Sequence, residues 1–215
     1  MNPIVSLKRL MLLAALMFGS PTVIQADGVG QALHELERIM ADTNRLRASY
    51  AAGKERMLYC GYCHGEDGNS RRDYIPNLAA QHPRYLFEQF EKFGDGRRND
   101  LVMTELARSL SLQERIDLAV YFSQQVVAPR PAGDPVQTAA GERLYRRSCA
   151  TCHGPEAQGV SNMPRLAGQP ARYLETALRR FQQQNPAQDA SVMIAISNAL
   201  NDDDIRAVAT FLQGR

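Results

Sequence analysis

Two stretches of the chain share one pattern: Cys60-Gly61-Tyr62-Cys63-His64 and Cys149-Ala150-Thr151-Cys152-His153. The pattern C-x-x-C-H is the attachment signature of a c-type haem. Two thiols at this spacing add to the two vinyl groups of the porphyrin, and the histidine that follows supplies an axial nitrogen to the iron. The chain has 4 cysteines, and the two stretches use all of them. The sequence therefore predicts two covalently attached haem c groups, held by Cys60, Cys63, Cys149 and Cys152, with His64 and His153 as iron ligands.

Two other kinds of site use paired cysteines. A thioredoxin-like redox pair needs no histidine after the second cysteine and occurs in a βαβ context, which this chain lacks. A zinc site could combine the four thiols, but it would leave His64 and His153 without a role. Haem attachment is favoured over both kinds of site because it accounts for the four cysteines and the two histidines.

The N-terminus has the pattern of a secretory signal peptide. Lys8 and Arg9 precede an apolar run, residues 10–18, that is too short to span a bilayer. Gly19 to Pro21 break this run, and Ile24-Gln25-Ala26 forms a plausible cleavage site. An uncleaved membrane anchor is disfavoured because the run is short and broken. We therefore expect residues 1–26 to be removed and the protein to function in the periplasm, the compartment in which c-type haems are attached.

The charge balance argues against nucleic acid as a partner. The chain has 25 basic and 23 acidic residues, and removal of residues 1–26 takes away Lys8 and Arg9 and no acid. The remaining chain has 25 − 2 = 23 basic and 23 acidic residues, a net charge of zero. No basic surface is predicted for nucleic acid or for an anionic membrane. Peripheral membrane association stays compatible with the sequence.

From residue 51 onward the chain repeats itself. Pro76-Asn77-Leu78-Ala79-Ala80-Gln81 matches Pro164-Arg165-Leu166-Ala167-Gly168-Gln169, and Arg84-Tyr85-Leu86 matches Arg172-Tyr173-Leu174. The offset is 89 residues at the two C-x-x-C-H stretches and 88 at the Pro-x-Leu stretches. So small a drift indicates two copies of one domain. We place the first domain at 51–128, a proline-rich linker at 129–137, and the second domain at 138–215.

The apolar spacing predicts an all-α protein. Residues 32–48, within an N-terminal extension at 27–50, have helical spacing and predict a helix packed on the domain surface. Each copy is predicted to hold three helical pieces. The first pieces are 51–59 and 139–148, and the second pieces are 83–93 and 171–183. The third pieces begin at capping sequences at Ser111 and Asn201.

Methionines at matched positions complete the predicted iron sites. Met103 lies 39 residues after His64, and Met193 lies 40 residues after His153. Most methionines only pack in cores, but matched register in two divergent copies favours ligation. Met57 and Met163 have no such partners. His82 is a rival ligand in the first copy, but its counterpart is Pro170, so it is interpreted as a surface residue at a helix start.

These motifs together resemble the dihaem cytochrome c4 family, in which two class I cytochrome c domains lie in tandem in the periplasm. The resemblance covers residues 51–215. It implies two class I cytochrome c domains, each wrapped around one haem, and His/Met ligation of both irons. It also implies that the carbonyls of Pro76 and Pro164 accept the Nδ1–H groups of His64 and His153. The extension before residue 51 departs from the family pattern.

The resemblance and the ligands together predict an electron carrier rather than an enzyme. Irons with both axial positions filled exchange electrons and offer no position to a substrate, so no catalytic residue is assigned. The expected partners are redox donors and acceptors of the respiratory chain, such as membrane cytochrome complexes or oxidases.

Two alternatives remain open on the sequence. The chain could be the haem subunit of a larger oxidoreductase, like the cytochrome subunit of a flavocytochrome sulfide dehydrogenase, and sequence separates this poorly from a free shuttle. It could also be a dihaem enzyme, such as a peroxidase or a thiosulfate-oxidising cytochrome. An enzyme needs an open axial position, and the matched methionines argue against one.

Overall fold

The computed structural model describes residues 21–185 and 191–215, with side chains from residue 28 onward. These ranges contain one helix before the repeat, α1 (Pro21–Ala41), and five helices in each copy. The first copy contains α2 (Thr43–Arg56), α3 (Leu58–His64), α4 (Pro83–Gly94), α5 (Leu101–Ser109) and α6 (Leu112–Ser123). The second copy contains α7 (Pro135–Ser148), α8 (Ala150–His153), α9 (Ala171–Gln183), α10 (Val192–Asn198) and α11 (Asp202–Gln213).

The predicted all-α class is confirmed. Extended pairing in the described part of the chain is confined to an isolated bridge between Val160 and Met163. No helix among the described residues is long and apolar enough to cross a membrane. The predicted signal peptide lies outside the described residues as far as residue 20, and residues 21–26 form the start of α1.

Each copy has five helices instead of the three that the sequence predicted. Each haem motif adds a short helix: α3 follows α2 after Met57, which divides the predicted piece 51–59, and α8 follows α7 after Cys149, which departs from helical geometry with φ −122°. The methionine segments are also helical. Asp100 begins α5 by accepting hydrogen bonds from the backbone N–H groups of Val102 and Met103, at 3.1 and 3.0 Å.

The predicted continuous helix over residues 32–48 is wrong. The chain turns at Asp42, which has the extended angles φ −118° and ψ 121°. The Asp42 carboxylate accepts hydrogen bonds from the N–H groups of Asn44 and Arg45, both at 2.9 Å. A side chain that satisfies the free N–H groups of a first turn starts a new helix there, so α1 ends and α2 begins.

Helix α1 covers the first domain with its apolar face. Ala32, Leu36 and Ile39 are 6%, 2% and 4% exposed and belong to the core formed by the first copy. His34 lies on the opposite face, 3.6 Å from Glu37. The predicted packing of this extension on the domain is confirmed, and the depth of burial makes α1 part of the hydrophobic core.

The first and last helices of each copy cross at a glycine. Gly53 of α2 faces the backbone of α6, where an added Cβ would overlap the carbonyl oxygen of Asp117. Gly141 of α7 stands in the same position against Ala207 of α11. Only a residue without a Cβ permits backbones to approach so closely. The repeat is therefore present in the packing as well as in the sequence.

The connection between the copies is held against the first domain. Asn69 donates from Nδ2 to the carbonyl of Val126 and accepts from the N–H of Ala128, both at 2.8 Å. Arg130 donates to the carbonyl of Ser70. The three prolines and these bonds limit the motion of the segment between α6 and α7.

Candidate haem sites

Each C-x-x-C-H stretch ends a short helix. His64 is the last residue of α3 and His153 the last residue of α8. Each is followed by a glycine in the left-handed region, Gly65 at φ 82° and Gly154 at φ 80°. A Cβ on Gly65 would overlap the carbonyl oxygen of Asn69, so the turn after the histidine requires glycine. The helix end therefore sets where each imidazole lies.

The four cysteines, Cys60, Cys63, Cys149 and Cys152, form no disulfide with one another. Burial raises the pKa of Cys60 and of Cys149 to about 11 each. Within residues 21–185 and 191–215, no three His, Cys, Asp or Glu side chains gather into a group that could hold a metal ion. The four cysteines are therefore not gathered into one cluster of the kind that a structural zinc site uses.

Both histidines are oriented by a proline carbonyl. His64 Nδ1 lies 2.9 Å from the carbonyl oxygen of Pro76, and His153 Nδ1 lies 3.0 Å from that of Pro164. A carbonyl oxygen only accepts, so Nδ1 carries the proton in both rings and Nε2 keeps a free lone pair. Burial lowers the pKa of both histidines, against the opposing effect of these bonds. Each ring is therefore neutral, with Nε2 available to bind a metal.

The candidate methionines lie at matched positions on the helices after α4 and α9. Met103 is the third residue of α5 and packs against the first core, and Met193 is the second residue of α10 and is half-buried. Met57 is 6% exposed and lies in the core of the first copy. Met103 and Met193 remain the predicted second iron ligands.

Sequence reasoning missed two glutamines that join the copies. Gln81 accepts from the N–H of Arg165 at 2.8 Å and donates to the carbonyl of Arg165 at 3.0 Å. Gln169 accepts from the N–H of Asn77 at 2.9 Å and donates to the carbonyl of Asn77 at 2.8 Å. The sequence did contain a signal for these two residues, because both Pro-x-Leu stretches end in glutamine. The repeat did not show that the two stretches meet.

His82 was interpreted as a surface residue at a helix start. It does precede α4, at the N-cap position. Its position at a helix start agrees with this interpretation, and its Nε2 also lies 2.9 Å from the carbonyl oxygen of Gln158 in the second copy. His82 therefore takes part in the contact between the copies as well.

A half-buried cluster of one arginine and two tyrosines also forms between the copies. Tyr85 and Tyr173 occupy matched positions, and Arg98 donates to the hydroxyl of Tyr173 at 3.3 Å. Burial raises the pKa of Tyr85 to about 12, so this phenol stays neutral and can donate. The Nε–H of Arg98 is buried and has no hydrogen-bond partner among the described residues. Such a donor suits a buried acid group, and the propionates of a haem are acid groups.

Comparison with known proteins identifies the family. The Cytochrome c family matches residues 138–215, the second copy. The chain is 37% identical over 176 residues to cytochrome c4 of Pseudomonas aeruginosa, covering 76% of this chain and 87% of that protein. It is 36% identical over 179 residues to the thiosulfate dehydrogenase electron acceptor of Thiomonas intermedia, covering 77% and 82%.

A solved structure agrees with this result. The crystal structure of reduced recombinant cytochrome c4 from Pseudomonas stutzeri matches with a TM-score of 0.71 and 33% identity, covering 76% of this chain and 97% of that chain. The resemblance stated from the motifs and the class I cytochrome c fold are both confirmed. The chain belongs to the cytochrome c4 family, whose members are electron carriers with covalent haem c.

Proposed function

We propose that the protein carries single electrons between redox proteins in the periplasm and holds one haem in each copy. The observation that carries the proposal is the duplication of one geometry. In both copies a C-x-x-C-H helix ends in a neutral histidine whose Nδ1–H is bound by a proline carbonyl. The duplication supports two haems, haem 1 on Cys60 and Cys63 and haem 2 on Cys149 and Cys152.

A bound haem supplies one-electron chemistry through the ferric and ferrous states of its iron. The cysteines tether the group, and the Nε2 atoms of His64 and His153 offer the first axial ligand. The thioethers of Met103 and Met193 offer the second, and a methionine ligand favours the ferrous state and raises the potential. With these histidines and methionines as ligands, neither iron would offer a position to a substrate.

The two copies are joined in a way that suits transfer from one site to the other. Four hydrogen bonds from Gln81 and Gln169 tie the Pro-x-Leu stretches together, and these stretches also bind the two ligand histidines. A fixed arrangement keeps the distance between two redox centres constant. We propose that electrons enter at one copy and leave at the other, with membrane cytochrome complexes or oxidases as partners.

A second candidate is supported by one of the relatives. The thiosulfate dehydrogenase electron acceptor of Thiomonas intermedia is 36% identical to this chain over 179 residues. The protein would then receive electrons from an enzyme that oxidises thiosulfate, either as a free acceptor or as a subunit. The same two haem sites serve both candidates, and the difference lies in the donor.

Intact mass and stopped-flow kinetics test the proposal. The secreted protein, measured in denaturing acid, should have the mass of the chain cleaved near Ala26 plus two haems. The reduced protein should pass electrons rapidly to a second c-type cytochrome. A mass that corresponds to one haem or none would refute the proposal. Reduction by a thiosulfate dehydrogenase with thiosulfate, compared with reduction by a membrane quinol-oxidising complex, separates the two candidates.

A further inference from the structure

The peptide group between Pro76 and Asn77 joins the two copies at an iron ligand. Its carbonyl oxygen, on Pro76, accepts the Nδ1–H of His64 at 2.9 Å. Its N–H, on Asn77, donates to Oε1 of Gln169 at 2.9 Å. One rigid, conjugated amide is thus bound at one end by the histidine of its own copy and at the other end by a glutamine of the opposite copy.

The second copy repeats this arrangement in the opposite direction. The carbonyl of Pro164 accepts the Nδ1–H of His153 at 3.0 Å, and the N–H of Arg165, in the same peptide group, donates to Oε1 of Gln81 at 2.8 Å. Two independent chains of hydrogen bonds therefore cross the interface. Each begins at a glutamine of one copy and ends at the histidine of the other.

Burial of the glutamines fixes the hydrogen-bond partners in both chains of hydrogen bonds. Gln81 and Gln169 are 4% and 5% exposed, and Asn77 is 3% exposed. Each glutamine amide also donates from Nε2 to the carbonyl of the residue whose N–H it accepts. Two bonds to one residue fix the orientation of the amide, so Oε1 must face the N–H group. Water has little access to replace either bond.

Hydrogen bonds in such a chain polarise one another. When the N–H of a peptide donates to a good acceptor, its carbonyl oxygen gains negative charge and accepts more strongly, by about 10–30% per bond. A stronger bond from Nδ1–H to that oxygen makes the imidazole more basic at Nε2. A more basic axial nitrogen stabilises the ferric state and lowers the reduction potential.

We propose that Gln81 and Gln169 are positioning residues that set the haem potentials across the domain interface. Gln169 lowers the potential of haem 1, and Gln81 lowers the potential of haem 2. Docking of the two copies is thereby coupled to the redox equilibrium of both sites. The inference rests on the proposed function, because it requires His64 and His153 to bind iron.

Glutamine to methionine variants of the full-length holoprotein test the coupling. Methionine keeps the length of the side chain and removes both hydrogen-bonding atoms. The potentials of haem 1 and haem 2 are measured separately by following assigned haem-methyl NMR resonances through a redox titration. The Nδ1–H resonance of each axial histidine in the reduced protein reports the strength of its hydrogen bond directly.

We expect each variant to change the haem of the opposite copy and not the haem of its own copy. Gln169→Met should raise the potential of haem 1 and move the His64 Nδ1–H resonance to lower ppm, with haem 2 and His153 unchanged. Gln81→Met should do the same to haem 2 and His153 alone. His82→Ala is the matched control, since it removes the interdomain bond to Gln158 and keeps the backbone N–H of residue 82, which donates to Gln81 Oε1 at 3.1 Å. It should leave both potentials in place.

Other outcomes overturn the inference without touching the proposed function. A fall of both potentials in each variant would mean that loosened docking lets water reach both sites, because water stabilises the more highly charged ferric state, and an equal rise of both would mean that docking acts on the two sites without the crossed hydrogen bonds. A shift at the haem of the substituted copy, or no shift, would show that the glutamines only hold the domains together. The wild-type titration tests the proposed function itself, because it must first show two haems with histidine and methionine ligands.

Discussion

Gly53 lies against the backbone carbonyl of Asp117, where α2 crosses α6. Asp117 is itself buried, and its carboxylate accepts from Ser49 Oγ at 2.5 Å and from Gln113 Nε2 at 2.9 Å. Backbone and side chain of Asp117 are therefore both held by contacts at this crossing. Neither α2 nor α6 can move away easily, so the space at Gly53 cannot enlarge to admit a side chain.

Gly53→Ala should destabilise the first domain by about 1–3 kcal/mol, the usual cost of overpacking a rigid contact. Guanidinium unfolding of the holoprotein, followed at the haem absorbance, measures the change. Gly94→Ala is the control, because Gly94 ends α4 with open space around it and should be close to neutral. Equal stability of the two variants would contradict the rigid crossing.

Replacement of either proposed methionine ligand should affect only its own haem. Met103 is matched with His64 and Met193 with His153 by position in the repeat. In Met103→Ala, half of the methionine–iron absorption band should disappear, and in Met193→Ala the other half. The loss of a sulfur ligand should also lower the potential of that haem.

Met163→Ala serves as the control for both variants. Met163 lies ten residues after His153 and pairs through its backbone with Val160, so it is near the second site without a matched partner. The band should keep its full intensity in this variant. Retention of the full band in Met103→Ala would show that Met103 is not a ligand.

The free energy of unfolding should decrease in acid, partly because the Glu114 carboxylate in the cap at the start of α6 becomes protonated. The carboxylate of Glu114 accepts from the Ser111 backbone N–H at 2.8 Å and pairs with Arg56. The Ser111 backbone bond, with further help from the Ser111 hydroxyl and Arg56, lowers the Glu114 pKa below its usual 4.5. A group with a lowered native pKa stabilises the fold above its unfolded pKa, and this contribution disappears as pH falls through the native value.

Glu114→Gln should therefore be less stable than the wild type at pH 7, and the difference should vanish well below pH 4.5. Thermal unfolding at a series of pH values measures this difference. Asp203, exposed at the start of α11 and outside the capping pair there, offers the control variant Asp203→Asn. A difference for Glu114→Gln that stays constant with pH would contradict the role of its charge.

Local interactions could be predicted from the sequence more fully than the tertiary arrangement could. The caps at Ser111 and Asn201 depend on residues near each other in the chain, and the structure confirms them. The His–Pro bonds, which the resemblance implied, are also present. The break at Asp42 was missed because the apolar spacing continues across it. The Asp42 carboxylate caps the first turn of α2, and this cap, not the apolar spacing, sets the break.

The contacts between the copies could not be predicted in the same way. Gln81 and Gln169 were visible as matched residues, but a repeat does not show which faces of two domains meet. Their bonds span 84 and 92 positions in the chain, and no local pattern encodes such a separation. The iron ligands Met103 and Met193 stay predictions that rest on register.

Carbon monoxide decides between the electron carrier and a dihaem enzyme. If His64 with Met103 and His153 with Met193 fill both axial positions of each iron, carbon monoxide should bind the reduced protein slowly and to a small extent. Low-spin spectra should persist in both oxidation states, and peroxide should not be turned over at an enzyme-like rate, because no position is free to polarise it. The Met103→Ala variant is the positive control, since the position opened at one iron should bind carbon monoxide readily at half of the total haem. Rapid binding to half of the haem in the freshly reduced wild-type protein would contradict the carrier and favour an enzyme with one open site.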